Sequence, residues 1–475
     1  MIMENKKRLT QLLLISLSIL SSLLFYQEGV GVNVLLLCTL LTVVLALQGN
    51  SRDSSWWYSG ILACIAGLSV LYQHSSLAVI AFAVFTAHWI GKTYLQKSSF
   101  FIQTMNALYS VAVTPFVLLF AKMTEQAPQT AKANFSQKLS ILRVSAIAVP
   151  IIGGIFFISL YASANAAFAD LFDFISFEYI SFLLGCLFFC SGAIYFQQLH
   201  YVQKQYELQG EQVLRKRRDF NDTHPLALKF ELKTGVNLLL TLNVILFFFM
   251  IGDASSLIHT ENLQGGSSHS DQVHQGVYTL IFSIIVAISI ILYFFRGNLN
   301  FYKKNQLFRQ LSYLWVFQNL VLIGLIVYKN GMYVEAFGLT YKRIGVFVHL
   351  FLSASGLITT YWKVRQQRNS WYLVNKNFAI AASLLLVSAF MPWDLWITQY
   401  NLNLKAETDY KYLIKLSEAN LPILLPLLEK GVLEEKEENL LNWKIEGFEQ
   451  RKQKEGWLSW NYQDQQIHEA LKQAE

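Results

Sequence analysis

The chain has 475 residues, of which 54% are hydrophobic and only 15% charged, with a net charge of +7. Soluble domains carry about a quarter charged residues, so a water-soluble globule of this length is excluded. The apolar residues come in continuous blocks such as Ile281–Leu292, which rules out the alternating pattern of a membrane β-barrel. Basic residues lie between these blocks instead of forming a face with stacking aromatics, which argues against a nucleic-acid partner.

The first block, Leu9–Phe25, follows Lys6, Lys7 and Arg8. It resembles a signal peptide, but Tyr26, Gln27 and Glu28 come next in place of a small-x-small cleavage site. The sequence therefore predicts an uncleaved first span with its amino end inside. Further blocks follow at Val30–Leu47, Trp56–Tyr72, Ser75–Ile90 and Phe100–Ala121, then Ile141–Tyr161 and Tyr179–Leu199. The last group is Leu232–Ile251, Gly276–Phe295, Leu307–Tyr328, Ile344–Trp362 and Tyr372–Met391. A helix needs about 20 apolar residues to cross the hydrocarbon, and helices satisfy their own backbone there. The predicted fold is an all-α, polytopic transmembrane helical bundle of 11–12 hydrophobic segments over residues 1–391. A small soluble helical tail, residues 392–475, follows it. Trp56, Trp57, Trp89, Trp362, Trp371 and Trp393 fall at block ends, where indole rings prefer the headgroup boundary.

Charge sets the expected orientation. From Pro392 onward ten Lys/Arg face fifteen Asp/Glu, so the rest of the chain carries the whole positive excess. Arg215–Arg218, then Lys303, Lys304 and Arg309, then Lys363, Arg365 and Arg368 recur every second span, which places them inside and the acidic tail outside. One conflict arises. Seven crossings from a cytoplasmic Lys6–Arg8 put Arg215–Arg218 outside. A re-entrant Phe100–Ala121, carrying Gln103, Asn106 and Pro115, removes it, as does a displaced amino terminus. In the tail, Pro422 is a helix-start signal and Lys430-Gly431 a stop. Glu434–Glu449 has helical apolar spacing, and a further helix pair is expected after Gly456.

No phosphate loop, dinucleotide fingerprint, nucleophile elbow or zincin helix is present, and no cofactor is implied. His259, Glu261, His269, Asp271 and His274 share one loop, but their spacing fits no known metal site. His259, His269 and His274 are thus weak ligand candidates beside a plain solvated loop. Cys186 and Cys190 share a helix face and are expected to act as small packing residues. His88 is expected to snorkel, and His349 to be buried and hydrogen-bonded. Asn237, Asn243, Gln318 and Asn319 are expected to bond between helices.

Four stretches carry a resemblance. They are Ser163–Asp170, Val273–Tyr278, Tyr333–Arg343, and Gln399–Leu402 with Asp409–Leu413. Through them the chain resembles a domain-of-unknown-function family of bacterial multi-pass inner-membrane proteins, over roughly Ile141 to Pro426. The stretch Glu335-Ala-Phe-Gly-Leu-Thr340 is the most specific. Where relatives tend to have Ala-Asp, this chain has Ala164-Asn165. The resemblance implies the bacterial cytoplasmic membrane and no established activity.

His274, Tyr278, Glu335, Arg343 and Asp394 then fall on the external side as candidate polar-site residues, with Glu335 and Arg343 expected to pair across a turn. The function expected is transporter-like or sensory, with an outward-facing site and lipid as the surrounding partner. The alternatives are an enzyme on a lipid-linked substrate, with His274 as acid/base, and a scaffold whose tail recruits a protein partner.

Overall fold

A computed structural model describes residues 2–48, 53–124, 177–199, 204, 206–207, 225–260, 282–295, 298–404 and 408–474. No strand occurs among them. The block Ile141–Tyr161, the stretch Ser163–Asp170, Arg215–Arg218, His269, His274 and Tyr278 lie outside the described residues, as does the side chain of His259. The chain forms two compact units, Met1–Gln203 with Glu449–Gln465, and Lys204–Phe448 with Gln466–Glu475.

The first unit contains α1 (Ile2–Phe25), α2 (Val32–Gln48), α3 (Ser54–Tyr72), α4 (Ser76–Tyr94), α5 (Phe100–Thr124) and α6 (Phe177–Ile194). Asp53 and Ser75 cap α3 and α4 by accepting the Trp56 and Ala78 amide protons, which satisfies N–H groups that a helix start leaves open. Some polar side chains inside the unit find partners on neighbouring elements. Trp56 Nε1 donates to Thr93 Oγ1 at 2.9 Å, and Gln103 Nε2 to the Leu95 carbonyl at 2.7 Å. His88 does not snorkel. It is buried, with Nε2 3.1 Å from Ser59 Oγ, because Ser59 on the adjacent helix offers a nearer partner than the interface.

The expected re-entrant segment is a continuous helix, α5, with Pro115 inside it. Ser110 and Thr114 hydroxyls turn to carbonyls of Gly192 and Tyr195, so α6 packs tightly over the proline turn. Only glycine fits at 192, since a Cβ there would sit 2.3 Å from the Val111 Cα. The parity conflict resolves elsewhere. Tyr179 opens α6 beside the end of α1, 3.0 Å from Ser22 Oγ, and α6 ends beside Tyr94, whose hydroxyl donates to the Ala193 carbonyl at 2.8 Å. So α5 ends on the face where α6 begins, and α6 returns the chain to the Lys92–Lys97 face.

The opposite face of this unit carries residues 449–465 as a strap. Val32 N donates to the Trp460 carbonyl at 3.1 Å, and Gly29 N to Ser459 Oγ at 2.8 Å. Glu28 accepts from Gly456 N at 2.9 Å and from the Ser459 hydroxyl. Tyr72 stacks on Tyr462 at 5.4 Å. Asp464, 1% exposed, accepts from Arg451 at 2.9 Å and Lys452 at 3.1 Å and lies 3.8 Å from His74 Nδ1.

The second unit contains α7 (Pro225–Thr260), α8 (Phe282–Phe294), α9 (Gln306–Phe337), α10 (Tyr341–Gln366) and α11 (Ser370–Ala389). The tail follows as α12 (Trp393–Leu402), α13 (Tyr410–Ile414), α14 (Leu421–Glu429), α15 (Glu435–Lys454) and α16 (Tyr462–Ala474). The last two have residues in both units. As expected, Asn243 Nδ2 donates to the Leu311 carbonyl and Gln318 Nε2 to the Asn243 carbonyl, both at 3.2 Å, joining α7 to α9. Asn319 instead bonds within its own helix. Farther along α9, Lys329 pairs with Asp253 across the same two helices. Charged groups in hydrocarbon persist when paired in this way. His349 is exposed on α10, not buried, because the buried side of that helix is taken by Val346 and Leu350.

Eight of the described helices are long and apolar enough to cross a membrane. Their outer sides are apolar as well: Phe230, Phe248, Phe282 and Phe317 are each more than 60% exposed. An apolar surface of that extent is stable only where lipid replaces water. The chain is a multi-pass membrane protein. Its tail has a core of its own, built on Leu413, Leu424, Leu441, Phe448 and Ile467, with Leu339 and Ile344 packed against it.

Candidate functional site

The site is built where α9 turns into α10. Gly338 ends α9 at φ +82°, a conformation that strains any side chain. A Cβ there would also lie 2.5 Å from Asn401 Oδ1. Asn401, brought in by α12, grips the turn: its Oδ1 accepts from Leu339 N at 2.6 Å, and its Nδ2 donates to the Leu339 carbonyl at 2.9 Å. Thr340 caps α10. Arg343, 8% exposed, donates from Nη1 to the Phe337 carbonyl at 2.9 Å and to that of Gly338. A cation is favoured at those last carbonyls of α9. Asn330 Nδ2 donates to the Arg343 carbonyl at 3.1 Å, closing the clasp from inside α9.

Beside the turn stands Asp394, in the first turn of α12, where a carboxylate is favoured. Its Oδ1 accepts from Tyr341 OH at 2.7 Å, and its Oδ2 accepts from the Ser417 hydroxyl. Tyr412 OH accepts from Tyr341 N at 3.2 Å. The Asp394 carbonyl takes Thr398 Oγ1 at 2.7 Å, and Thr398 accepts from Asn420 Nδ2 at 2.9 Å. Asn420 Oδ1 accepts from Lys444 Nζ at 2.8 Å. Burial pushes the Lys444 ammonium down to about 8, against the opposing pull of Asp394 and Glu418. Burial likewise raises the Tyr412 phenol. The result is a polar chain from Arg343 to Lys444, partly open to solvent at Asp394, Tyr341 and Ser417. Its open part presents one carboxylate together with the hydroxyls of Tyr341 and Ser417.

Of the residues singled out in the sequence, Arg343 and Asp394 enter this site. Glu335 does not. It is exposed, and among the described residues Arg343 pairs with no carboxylate, because the carbonyls of Phe337 and Gly338 take its donors. His274 and Tyr278 lie outside the described residues. Sequence reasoning missed Ser417, Asn420 and Lys444. Ser417 carried a local signal, as the cap of a short 3-10 turn at Glu418–Asn420. Lys444 carried none, being one of five cations in a helix with as many carboxylates. Two of the four stretches behind the family resemblance meet at this site: Tyr333–Arg343, and Gln399–Leu402 with Asp409–Leu413.

Fold and site together define a polytopic α-helical membrane protein with a polar site at one end of its helices. The chain belongs to the family described as "Domain of unknown function (DUF4153)", whose model matches residues 14–427. The match begins well before Ile141, so the amino-terminal helices are part of the family too. It reaches into α14 and covers Arg343, Asp394, Ser417 and Asn420, while Lys444 and the strap lie beyond it. Searches of curated proteins and of solved structures return no match.

Proposed function

We propose that the protein is a transporter-like or sensory component of the bacterial cytoplasmic membrane whose polar site faces outward. Two independent arrangements support the sidedness. In the first unit the strap lies on the α1–α2 and α3–α4 loops, at the end away from Lys92 and Lys97. In the second, Gln367 Nε2 reaches the Asn300 carbonyl at 2.9 Å, and Arg309 the Arg365 carbonyl at 3.3 Å. These bonds gather Lys303, Lys304, Arg309, Lys363 and Arg368 at the end away from Asn401 and the tail. Basic loops stay in the cytoplasm, so the tail and the site belong outside.

The observation that carries the reading is the meeting of Asp394 with Tyr341 and Ser417 on residues that the family model covers. A partly open carboxylate holding two hydroxyls exchanges them readily for a solute's donors. The test uses the full chain fused at Glu475. An alkaline phosphatase fusion is expected to be active and a green fluorescent protein fusion dark; the reverse pattern overturns the reading. Asp394→Asn, inserted at normal levels, is expected to fail to complement a deletion strain.

A further inference from the structure

A cleft of about 610 Å³ opens in the first unit among α1, α2 and α6. Its body is apolar, lined by Leu17, Leu41, Phe182, Phe189 and Ala193, and its mouth is polar, at Gln27, Glu178 and Ser181. The mouth lies level with the strap, since Gln27 follows the end of α1 and Glu178 opens α6. Gln27 holds φ +58°, one of two non-glycine residues with positive φ among the described residues. That is the left-handed conformation in which helices commonly end. Here it sets the Gln27 amide at the mouth, 3.4 Å from the Tyr26 hydroxyl. Gly185 keeps the cleft wide, for a Cβ there would meet nothing within 4 Å.

Protein interiors are close-packed, and an apolar cavity holds no water. In a bilayer the molecule at hand to fill such a space is a hydrocarbon chain. The lining runs about 14 Å along α1 from Leu17 to Tyr26, and about 22 Å along α6 from Glu178 to Ala193. A crossing helix needs about 30 Å, so the cleft is too short for one. It suits a chain hanging from the headgroup layer at the mouth. There the Glu178 carboxylate and the Gln27 amide favour a headgroup with N–H donors. We propose that this cleft binds one acyl chain of a phospholipid from the strap-side leaflet, with an ammonium-bearing headgroup at Gln27, Glu178 and Ser181.

The full chain in vesicles of phosphatidylethanolamine and phosphatidylglycerol, doped with phosphatidylethanolamine carrying a diazirine acyl chain, tests this. Photocrosslinks are expected on Cys186–Phe189 and Leu17–Ser21. Gly185→Trp, which fills the open space, is expected to lower that yield about fivefold, while Leu184→Trp, on the exposed side of α6, leaves it unchanged. Ser181→Phe at the mouth is a second blocking variant should Gly185→Trp not fold. A phosphatidylglycerol probe is expected to label these positions less; equal labelling removes the headgroup preference. Unchanged labelling in both blocked variants overturns the proposal. So does a disulfide between Cys186 and Gly153→Cys in most molecules, because the chain itself would then fill the cleft.

Discussion

The carboxyl-terminal tail is held in two physically different ways. In the second unit it packs through an apolar core around Leu424, Leu441 and Phe448, with neutral amides at Asn401 and Asn420 finishing the fit. In the first unit the strap is held by charge: Asp464 is buried among Arg451, Lys452 and His74, and Glu28 grips Ser459 and Gly456. Apolar packing is indifferent to pH and salt. A buried carboxylate is worth what its partners supply, because removing them leaves an uncompensated charge. The tail should therefore come loose in two steps, each answering to different conditions.

The largest expected effect comes from the apolar side. Phe448→Ala should cost the tail core about 4 kcal/mol, read as a lower Tm and early proteolysis within α14–α15. A similar loss from an exposed control such as Trp443→Ala, 73% exposed, would erase the distinction between core and surface. Next comes the strap. Asp464→Asn should cost about 3 kcal/mol and expose residues 449–465 to protease while the tail core stays protected. In the native chain burial alone would raise the Asp464 carboxyl, but hydrogen bonds from His74 and Arg451 and the Arg451 charge outweigh it and hold it below its usual 3.8. A carboxyl depressed on folding stabilises above its unfolded pKa. Strap stability should then be complete above pH 3.8 and fall as the pH drops below it, and Asp464→Asn should remove this acid sensitivity.

The smallest effect has the same sign but falls in a separate, alkaline window. Lys444 is pushed from 10.5 down to about 8, so between those values the unfolded chain binds more protons than the folded one. Stability of the tail core should rise with pH across that window. Lys444→Met should flatten the rise, as measured by thermal melts in detergent at pH 7 and pH 10.

Much of this was legible in the sequence, and the reasons differ from element to element. Continuous apolar blocks specify helices because lipid leaves the backbone no other partner. Eleven of the twelve expected blocks coincide with described helices. Gly431, at φ +61°, ends α14 where the stop signal was expected. The candidate site was half legible: Arg343 and Asp394 stood out by charge near helix ends. Arg343 was expected to meet Glu335, and the structure gives it the carbonyls of α9 instead. Backbone carbonyls are available at every helix end and leave no mark in a sequence. The continuity of α5 through Pro115 was equally hidden, since it depends on the close approach of Gly192 eighty residues away.

What the sequence determined by itself is the solvent, the helical class and the distribution of basic loops, because each follows from local composition over a span of about 20 residues. What only the tertiary structure decided is which polar groups meet. Asp394 with Tyr341 and Ser417, Lys444 with Asn420, and Asp464 with Arg451 and His74 are set by helix directions and turn geometry. Each of the three joins residues more than twenty positions apart, where no local preference acts and only the packing of whole helices selects the partner.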